Sequence, residues 1–287
     1  MTTLRVIILG DIVGRSGRQA VAQQLPIIRQ KYEPDLVIAN AENAANGTGL
    51  TPELFRKLRL AGVDAMTLGD HVYKKQQIMN VLEEESVITR PANLPARARG
   101  KRWMCLPTPK GNVYVITVLG RIFMNLPAAD PFVTVDEIIA SLPEKNPMVI
   151  VEIHAEATSE KQAMGWYFNG RAAVVFGTHT HVATADARIL APHVGPAADK
   201  KTGGAFGGTA YITDLGMCGP QESVLGRQVA PVLTHMTTAM PAPFDVAEGD
   251  PRVCGIYVEI DSETRRARAI ERIEFAADPT KPPFTAA

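Results

Sequence analysis

Short apolar, β-branched runs recur along this chain, and each is followed within a few residues by a chemically able polar side chain. The runs are RVIIL (5–9), DLVIAN (35–40), VDAMTL (63–68), MVIVEI (148–153) and AAVVF (172–176). Between the first three lie segments with helical spacing, RQAVAQQLPIIRQKY (18–32) and TPELFRKLRLAG (51–62), and QQIMNVLEEE (76–85) comes after the third. Buried strands alternating with amphipathic helices restrict a chain to α/β architectures with parallel strand pairs. Thr51 suits a helix N-cap, Pro52 the first helical position and Gly62 the stop. With 287 residues, 46% of them hydrophobic, the chain can bury a substantial core.

The middle is less regular. Residues 91–112 carry Pro, Gly and five basic side chains, and read as a long loop or a cap. VYVITVLGRIFM (113–124) reads as two strands with a tight connection, and SEKQAMGWYF (159–168) as a helix. Beyond residue 185 the runs ARIL, TAYIT, GIYVEI and RARAIERIEF read as strands with few helices between them. A second, more antiparallel sheet packed on the first is expected. The expected unit is one domain over residues 1–277, followed by a Pro-rich tail, 278–287, that frays.

Thirty basic side chains balance thirty acidic ones, which argues against long nucleic acid and an anionic membrane surface as partners. Cys105, Cys218 and Cys254 are widely spaced, so neither a zinc knuckle nor a disulfide framework is suggested. The N-terminal apolar run is too short for a signal sequence, and no run approaches the roughly 20 residues that span a bilayer. These features point to a cytoplasmic protein with no membrane partner.

The residues just past each strand are more informative. Asp11 comes after the first run, Glu42 and Asn43 after the second, and Asp70 and His71 after the third. His154 comes after MVIVEI, and His179 and His181 after AAVVF. In open α/β sheets ligands bind outside the carboxyl ends of the strands. Five strand ends supplying carboxylates, amides and imidazoles therefore suggest one site. A set of Asp, Glu, Asn and His without Cys suits iron, manganese, zinc or magnesium. Up to seven ligating side chains exceed the needs of one tetrahedral ion and fit two ions about 3.5–4 Å apart, the arrangement that assists phosphoryl transfer.

Taken singly, several of these residues have plainer readings. Asp11 beside Gly10 suits a turn, Glu42 a solvated loop, and His154 a hydrogen-bonded structural histidine. THTH is sharper: alternate residues of an extended segment point the same way, so His179 and His181 share a site if this one is extended, whereas a loop lets them diverge or converge. His193 and His235 lack such company and read as surface or structural residues. GRSGR (14–18) has the composition of a phosphate cradle at a helix start but not the P-loop spacing, and TGGAFGGTAY (202–211) reads as a flexible turn.

The segments GDIVGRSGR, NAENAANGTG, GDHVYKK, HAEATSEK and GTHTHVATAD, in this order, resemble the successive motifs of the YmdB-like bacterial metallophosphoesterases. YITDLGMCGP (211–220) resembles a later segment of the same family. The resemblance implies a four-layer αββα sandwich of the calcineurin-like superfamily, with two mixed sheets and two divalent ions. Iron or manganese come first, and magnesium and zinc are compatible. It implies Asp11, Asn43 and His181 on one metal, Asp70, His154 and His179 on the other, Glu42 bridging, and His71 as general acid. The family motif is usually G-N-H, whereas this chain has Gly69, Asp70 and His71. The added anion is expected to bind divalent ions more tightly and to make them weaker Lewis acids. Val13 stands where the wider superfamily often has histidine, a change the YmdB-like family shares.

The implied activity is phosphodiester hydrolysis by a metal-held hydroxide, on a small substrate such as a 2′,3′- or 3′,5′-cyclic nucleotide. Ribonuclease or phosphomonoesterase chemistry, or a regulatory metal-binding role without turnover, are the alternatives. A homo-oligomer is consistent with the family likeness.

Overall fold

The apolar runs become strands because β-branched side chains pack well on a pleated, buried surface. The computed structural model describes residues 2–192 and 208–281. In chain order it contains β1 (Thr3–Leu9), β2 (Asp11–Ile12), α1 (Gly14–Tyr32), β3 (Leu36–Asn40), α2 (Pro52–Leu60), β4 (Ala65–Thr67) and α3 (Ile78–Glu84). Next come β5 (Ile88–Thr89), β6 (Trp103–Thr108), β7 (Gly111–Leu119), α4 (Pro131–Ser141), β8 (Met148–His154), α5 (Thr158–Tyr167) and β9 (Val174–Thr178). The last elements are β10 (Arg188–Ile189), β11 (Ala210–Ile212), β12 (Met217–Pro220), α6 (Val229–Thr238), β13 (Pro251–Asp261) and β14 (Ala267–Ala276).

Two mixed sheets result. The first has the order β2-β12-β13-β1-β3-β4-β5, with β14 on the other edge of β13. In it β1, β3, β4 and β5 run parallel, while β13 is antiparallel to β1. The second has the order β10-β11-β9-β8-β7-β6, with a parallel centre and antiparallel edges. Side chains alternate along β1. Leu4, Val6 and Ile8 meet Met104, Val115, Ile150 and Phe176 of the second sheet. Ile7 and Leu9 face the other way, onto Val21, Leu25 and Ile28 of α1 and Phe55 and Leu58 of α2. On the far side, Ile116, Val149 and Val151 pack with Val135 and Ile138 of α4 and Met164 of α5. The architecture is thus helix–sheet–sheet–helix, and burial of each such side chain contributes about 1.5–3 kcal/mol.

Several boundaries differ from the sequence reading. Residues 91–112 are not one loop: β6 lies within them, paired with β7. Pro107 hides it, and an edge strand tolerates proline. Residues 113–124 hold one strand, not two. The Glu160 carboxylate accepts from Arg121 N and Ile122 N and so draws that backbone away from any ladder. The late strands do not make a separate antiparallel sheet: β13 and β14 complete the first sheet, and β10 and β11 extend the second. Helix α1 starts at Gly14, four residues before its apolar pattern does. There a Cβ on Gly17 would lie 2.1 Å from the Cys218 carbonyl oxygen, so this glycine serves close packing on β12. Helices α4 and α6 are additions. Asp130 caps α4 by accepting from Phe132 N and Val133 N. Most of the 202–211 turn and of the tail lies outside the described residues.

Candidate metal centre

The parallel strands of both sheets end at one edge, and the polar residues just beyond them meet there. Asp11 opens β2, one residue past Gly10, where a Cβ would lie 1.8 Å from the Gly216 carbonyl oxygen. Glu42 and Asn43 form the first turn after β3, Asp70 and His71 the turn after β4, His154 ends β8, and His179 and His181 come after β9. His154 Nε2 lies 3.0 Å from Asp70 Oδ1, 3.2 Å from Glu42 Oε1 and 3.1 Å from His179 Nδ1. One ligand atom from each of Glu42, Asp70, His154 and His179 lies within 4.8 Å of all the others. A second group adjoins it through Glu42: Asn43 Nδ2 is 3.2 Å from both Glu42 Oε1 and His181 Nε2. Asp11 Oδ2 accepts from His179 N at 3.2 Å.

His181 and His154 each have an acceptor behind them that sets which nitrogen faces the cluster, and a carboxylate stands behind His179. His181 Nδ1 donates to the Leu225 carbonyl at 3.1 Å, which leaves Nε2 as a lone pair that accepts from Asn43 Nδ2 at 3.2 Å. His154 Nδ1 donates to Thr178 Oγ1 at 2.9 Å, and Thr178 Oγ1 passes the polarity on by donating to Glu152 Oε1 at 2.7 Å. His179 turns Nε2 toward Glu156 Oε2 at 3.4 Å and Nδ1 toward the cluster. Metal-bound histidines are typically held by such outer partners. Glu152 is itself fully buried and also accepts from Asn40 Nδ2 and Thr117 Oγ1. Asn40 Oδ1 in turn accepts from Glu42 N at 3.0 Å.

His179 and His181 do not share a side as an extended segment would place them. Both have left-handed backbones, φ 90° and 61°, a strain of about 1–3 kcal/mol each. The turn sends one ring to each half of the cluster. His71 is 27% exposed, unlike fully buried His154. Its Nδ1 donates to Asn43 Oδ1 at 2.6 Å, its backbone N donates to Glu42 Oε2 at 3.0 Å, and its Nε2 stands 3.9 Å from Asp70 Oδ2.

The residues fit metal ions on three grounds. Asp11 Oδ1 is buried and finds no hydrogen-bond partner. Burial pushes the Asp11 carboxyl up to about 8, opposed by His154 and reinforced by Glu42. Such a group is satisfied by a cation. A Cβ on Gly69 would lie 2.3 Å from His154 Nε2 and 2.4 Å from Glu42 Oε2, so the centre is a cradle one methyl would fill. Thirdly, the charges are mutually dependent. Burial alone would lower His154, yet Glu42, Asp70 and Asp11 hold it well above the usual imidazole range. Burial opposes ionisation of Asp70, but His154 and His179 keep it well below the carboxylate range. Burial keeps His181 low and therefore neutral, the form that ligates.

All eight residues singled out from the sequence thus gather at one place. His235 lies away on α6, its Nδ1 donating to the Met240 carbonyl, and His193 is outside the described residues. Sequence reasoning misses Asn40, Thr117, Glu152, Glu156 and Thr178. Only the strand-end location of Glu156 and Thr178, beside the candidate histidines, carries a signal.

A four-layer sandwich with this cluster at the shared strand edge defines a metallophosphoesterase. The chain matches the family model described as YmdB-like protein over residues 7–273, and it belongs to that family. It is 40% identical over 270 residues to the 2′,3′-cyclic-nucleotide 2′-phosphodiesterase of Bacillus subtilis (strain 168), a match covering 94% of this chain and 96% of the relative. A crystal structure of a hypothetical protein from Thermus thermophilus superposes with TM-score 0.83 at 39% identity, covering 96% of this chain and all of the other. A crystal structure of a novel phosphatase from Mycoplasma pneumoniae superposes with TM-score 0.85 at 32% identity, covering 97% and 95%. The chain is an enzyme of the metallophosphoesterase class. Among the described residues no helix is long and apolar enough to cross a membrane.

Proposed function

We propose that the protein is a dinuclear-metal phosphodiesterase acting on small cyclic nucleotides, 2′,3′-cyclic before 3′,5′-cyclic. The observation that carries the reading is the convergence of Glu42, Asp70, His154 and His179 on one point, beside the partnerless buried oxygen of Asp11. The name of the Bacillus subtilis relative supports the choice of substrate. Asp11, Asn43 and His181 would hold one ion, Asp70, His154 and His179 the other, and Glu42 would lie between them. Iron or manganese suit this set best. When bound, the ions supply positive charge against the phosphoryl oxygens and bring the pKa of water near neutrality.

The remaining work falls to the chain. Ligation through Oδ1 would turn the Asn43 amide so that its Nδ2–H donates to His71 Nδ1, which places the proton of the neutral ring on Nε2, ready for transfer. Partial exposure lets this nitrogen reach a substrate, and it protonates the departing ribose oxygen. Because both sheets supply the site, residues 1–277 act as one unit. A homo-oligomer belongs to the same reading, and sedimentation velocity tests it.

The test uses chelated protein reloaded separately with Mn, Fe(II), Mg and Zn. It is assayed on bis-p-nitrophenyl phosphate, a p-nitrophenyl monoester, both cyclic nucleotide types and a short RNA. Metal-dependent turnover of diesters over monoester and RNA is expected. His71→Ala should lower kcat on cyclic nucleotides by about 10²–10⁴-fold, the usual worth of a general acid. The loss should be smaller on bis-p-nitrophenyl phosphate, because p-nitrophenolate leaves without a proton. Two metals bound with no turnover would replace catalysis with a regulatory role, and equal losses on both substrates would remove His71 as the acid.

A further inference from the structure

A buried ion pair lies directly behind the His179–Thr180–His181 turn, and none of the residues assigned to metal or proton transfer uses it. Lys161 Nζ, from α5, donates to Asp214 Oδ2 at 2.7 Å, with side chains 0% and 1% exposed. Thr180 Oγ1 closes a triangle: it accepts from Lys161 Nζ at 2.9 Å and donates to the same Asp214 oxygen at 2.6 Å. Thr180 N donates to Asp214 Oδ2 at 3.3 Å, and Gly216 N to Oδ1 at 2.7 Å.

Two charges taken fully out of water are a poor way to gain stability, since well-packed apolar residues usually do as well. What such a pair gives is fixed geometry, and the geometry at stake here is unusual. Thr180 sits between two histidines that both hold left-handed backbones. Conformations of that kind persist only where the surroundings over-determine them. Asp11 Oδ2 accepts from His179 N on one side, and the His181 carbonyl accepts from Met217 N at 3.1 Å on the other. The Lys161–Asp214 pair grips the residue between, through its hydroxyl and its backbone N–H. The stem of Lys161 runs directly beneath the end of β9: a Cβ on Gly177 would lie 2.8 Å from Lys161 Cδ and 1.9 Å from the Thr213 carbonyl oxygen. Glycine at 177 therefore admits both the lysine and the loop that carries Asp214.

We propose that the buried Lys161–Asp214 pair, acting through Thr180, is the positioning device that aims His179 and His181 at two different metal positions. The pair touches neither metal nor substrate. The proposal rests on the reading of these histidines as metal ligands.

Thr180→Val removes the bridging hydroxyl at constant shape, Thr180→Ser restores it, and the double variant Lys161→Met/Asp214→Asn removes both charges together. Binding of Mn²⁺ to each full-length apo protein is measured by calorimetric titration and by metal analysis after dialysis, alongside Tm, kcat and KM. Thr180→Val should keep its Tm within a few degrees and lose about 10–100-fold in Mn²⁺ affinity, the usual cost of disturbing an outer partner. Its kcat should fall with KM little changed, and Thr180→Ser should recover both. The double variant should show the larger loss. If it does not fold, Thr180→Val decides. Wild-type affinity and stoichiometry in Thr180→Val would overturn the proposal and leave the metal reading intact. Wild-type protein that binds no Mn²⁺ would overturn the metal reading and this inference with it.

Discussion

Gly69 gives the cleanest access to the centre at the scale of one residue. Its backbone is not left-handed, so alanine is tolerated there conformationally, and the atoms nearest the added methyl are His154 Nε2, His154 Cδ2 and Glu42 Oε2. Gly69→Ala should leave the Tm of the metal-free protein within a few degrees of wild type. It should weaken Mn²⁺ binding by at least about tenfold, since a perturbed ligand shell typically costs 10–100-fold. Equilibrium dialysis with metal analysis checks this, and unchanged metal content would mean that the ligands do not close around this point. The same neighbourhood shows what the sequence can and cannot say about single residues. His154 alone looks like a structural histidine, and its place at a strand end is its only signal. Its outer partner, Thr178, is 24 residues away, and the Leu225 carbonyl behind His181 is 44 residues away. Local spacing carries no trace of such pairs. The left-handed turn at 179 and 181 is equally hidden, because positive φ is uncommon for any residue other than glycine, and even histidine's enrichment there is too weak a signal to place two such residues in THTH.

At the scale of an element, the hairpin of β13 and β14 turns on Asp261. Its Oδ1 accepts from Glu263 N at 2.8 Å and Thr264 N at 2.9 Å, and its Oδ2 pairs with Arg268. The backbone bonds from Thr264 and Glu263, aided by Arg268, hold this carboxyl at about 2, below its ordinary 3.8. A depressed folded-state value means that the unfolded chain takes up the proton first. The contribution is therefore complete above pH about 4 and is lost as pH falls toward 2. The Tm advantage of wild type over Asp261→Ala should be constant from pH 7 to about 4 and shrink below that. Parallel Tm–pH curves would remove the carboxylate from the argument. Both strands of this hairpin are legible as apolar runs, yet their sheet is not. The register that pairs Thr3 with Asp261 joins the two ends of the chain, and no local pattern encodes it. The parallel strands β3, β8 and β9 are legible because they are buried on both faces and so continuously apolar. Edge strand β6, with Pro107 and half-exposed positions, lacks that signature.

For the molecule as a whole, the division of the proposed ligands between the two sheets matters more than their number. Asp11, Glu42, Asn43 and Asp70 come from the first sheet, and His154, His179 and His181 from the second. The two layers touch through an apolar interface of Leu4, Val6, Ile8, Val115, Ile150 and Phe176. Near the centre that interface turns polar, where Asn40 of the first sheet donates to Glu152 of the second. Ions held at the strand edge would therefore bridge the sheets, and would bind the folded chain far better than the unfolded one. Ligand at about a hundredfold over its Kd stabilises a fold by about 2.7 kcal/mol. For a chain of this size each kcal/mol moves Tm by roughly 2–4 °C. Saturating Mn²⁺ should thus raise Tm by roughly 5–10 °C, and a chelator should reverse the rise. Differential scanning calorimetry of wild type and Gly69→Ala, each with metal and with chelator, separates the site from general ion effects. A rise in wild type that Gly69→Ala cuts to about half or less, as a 10–100-fold weaker Kd requires, places the bridge at Glu42, Asp70, His154 and His179. The same rise in both proteins would place the stabilising ion elsewhere, and the sheets would then be held by their apolar interface alone.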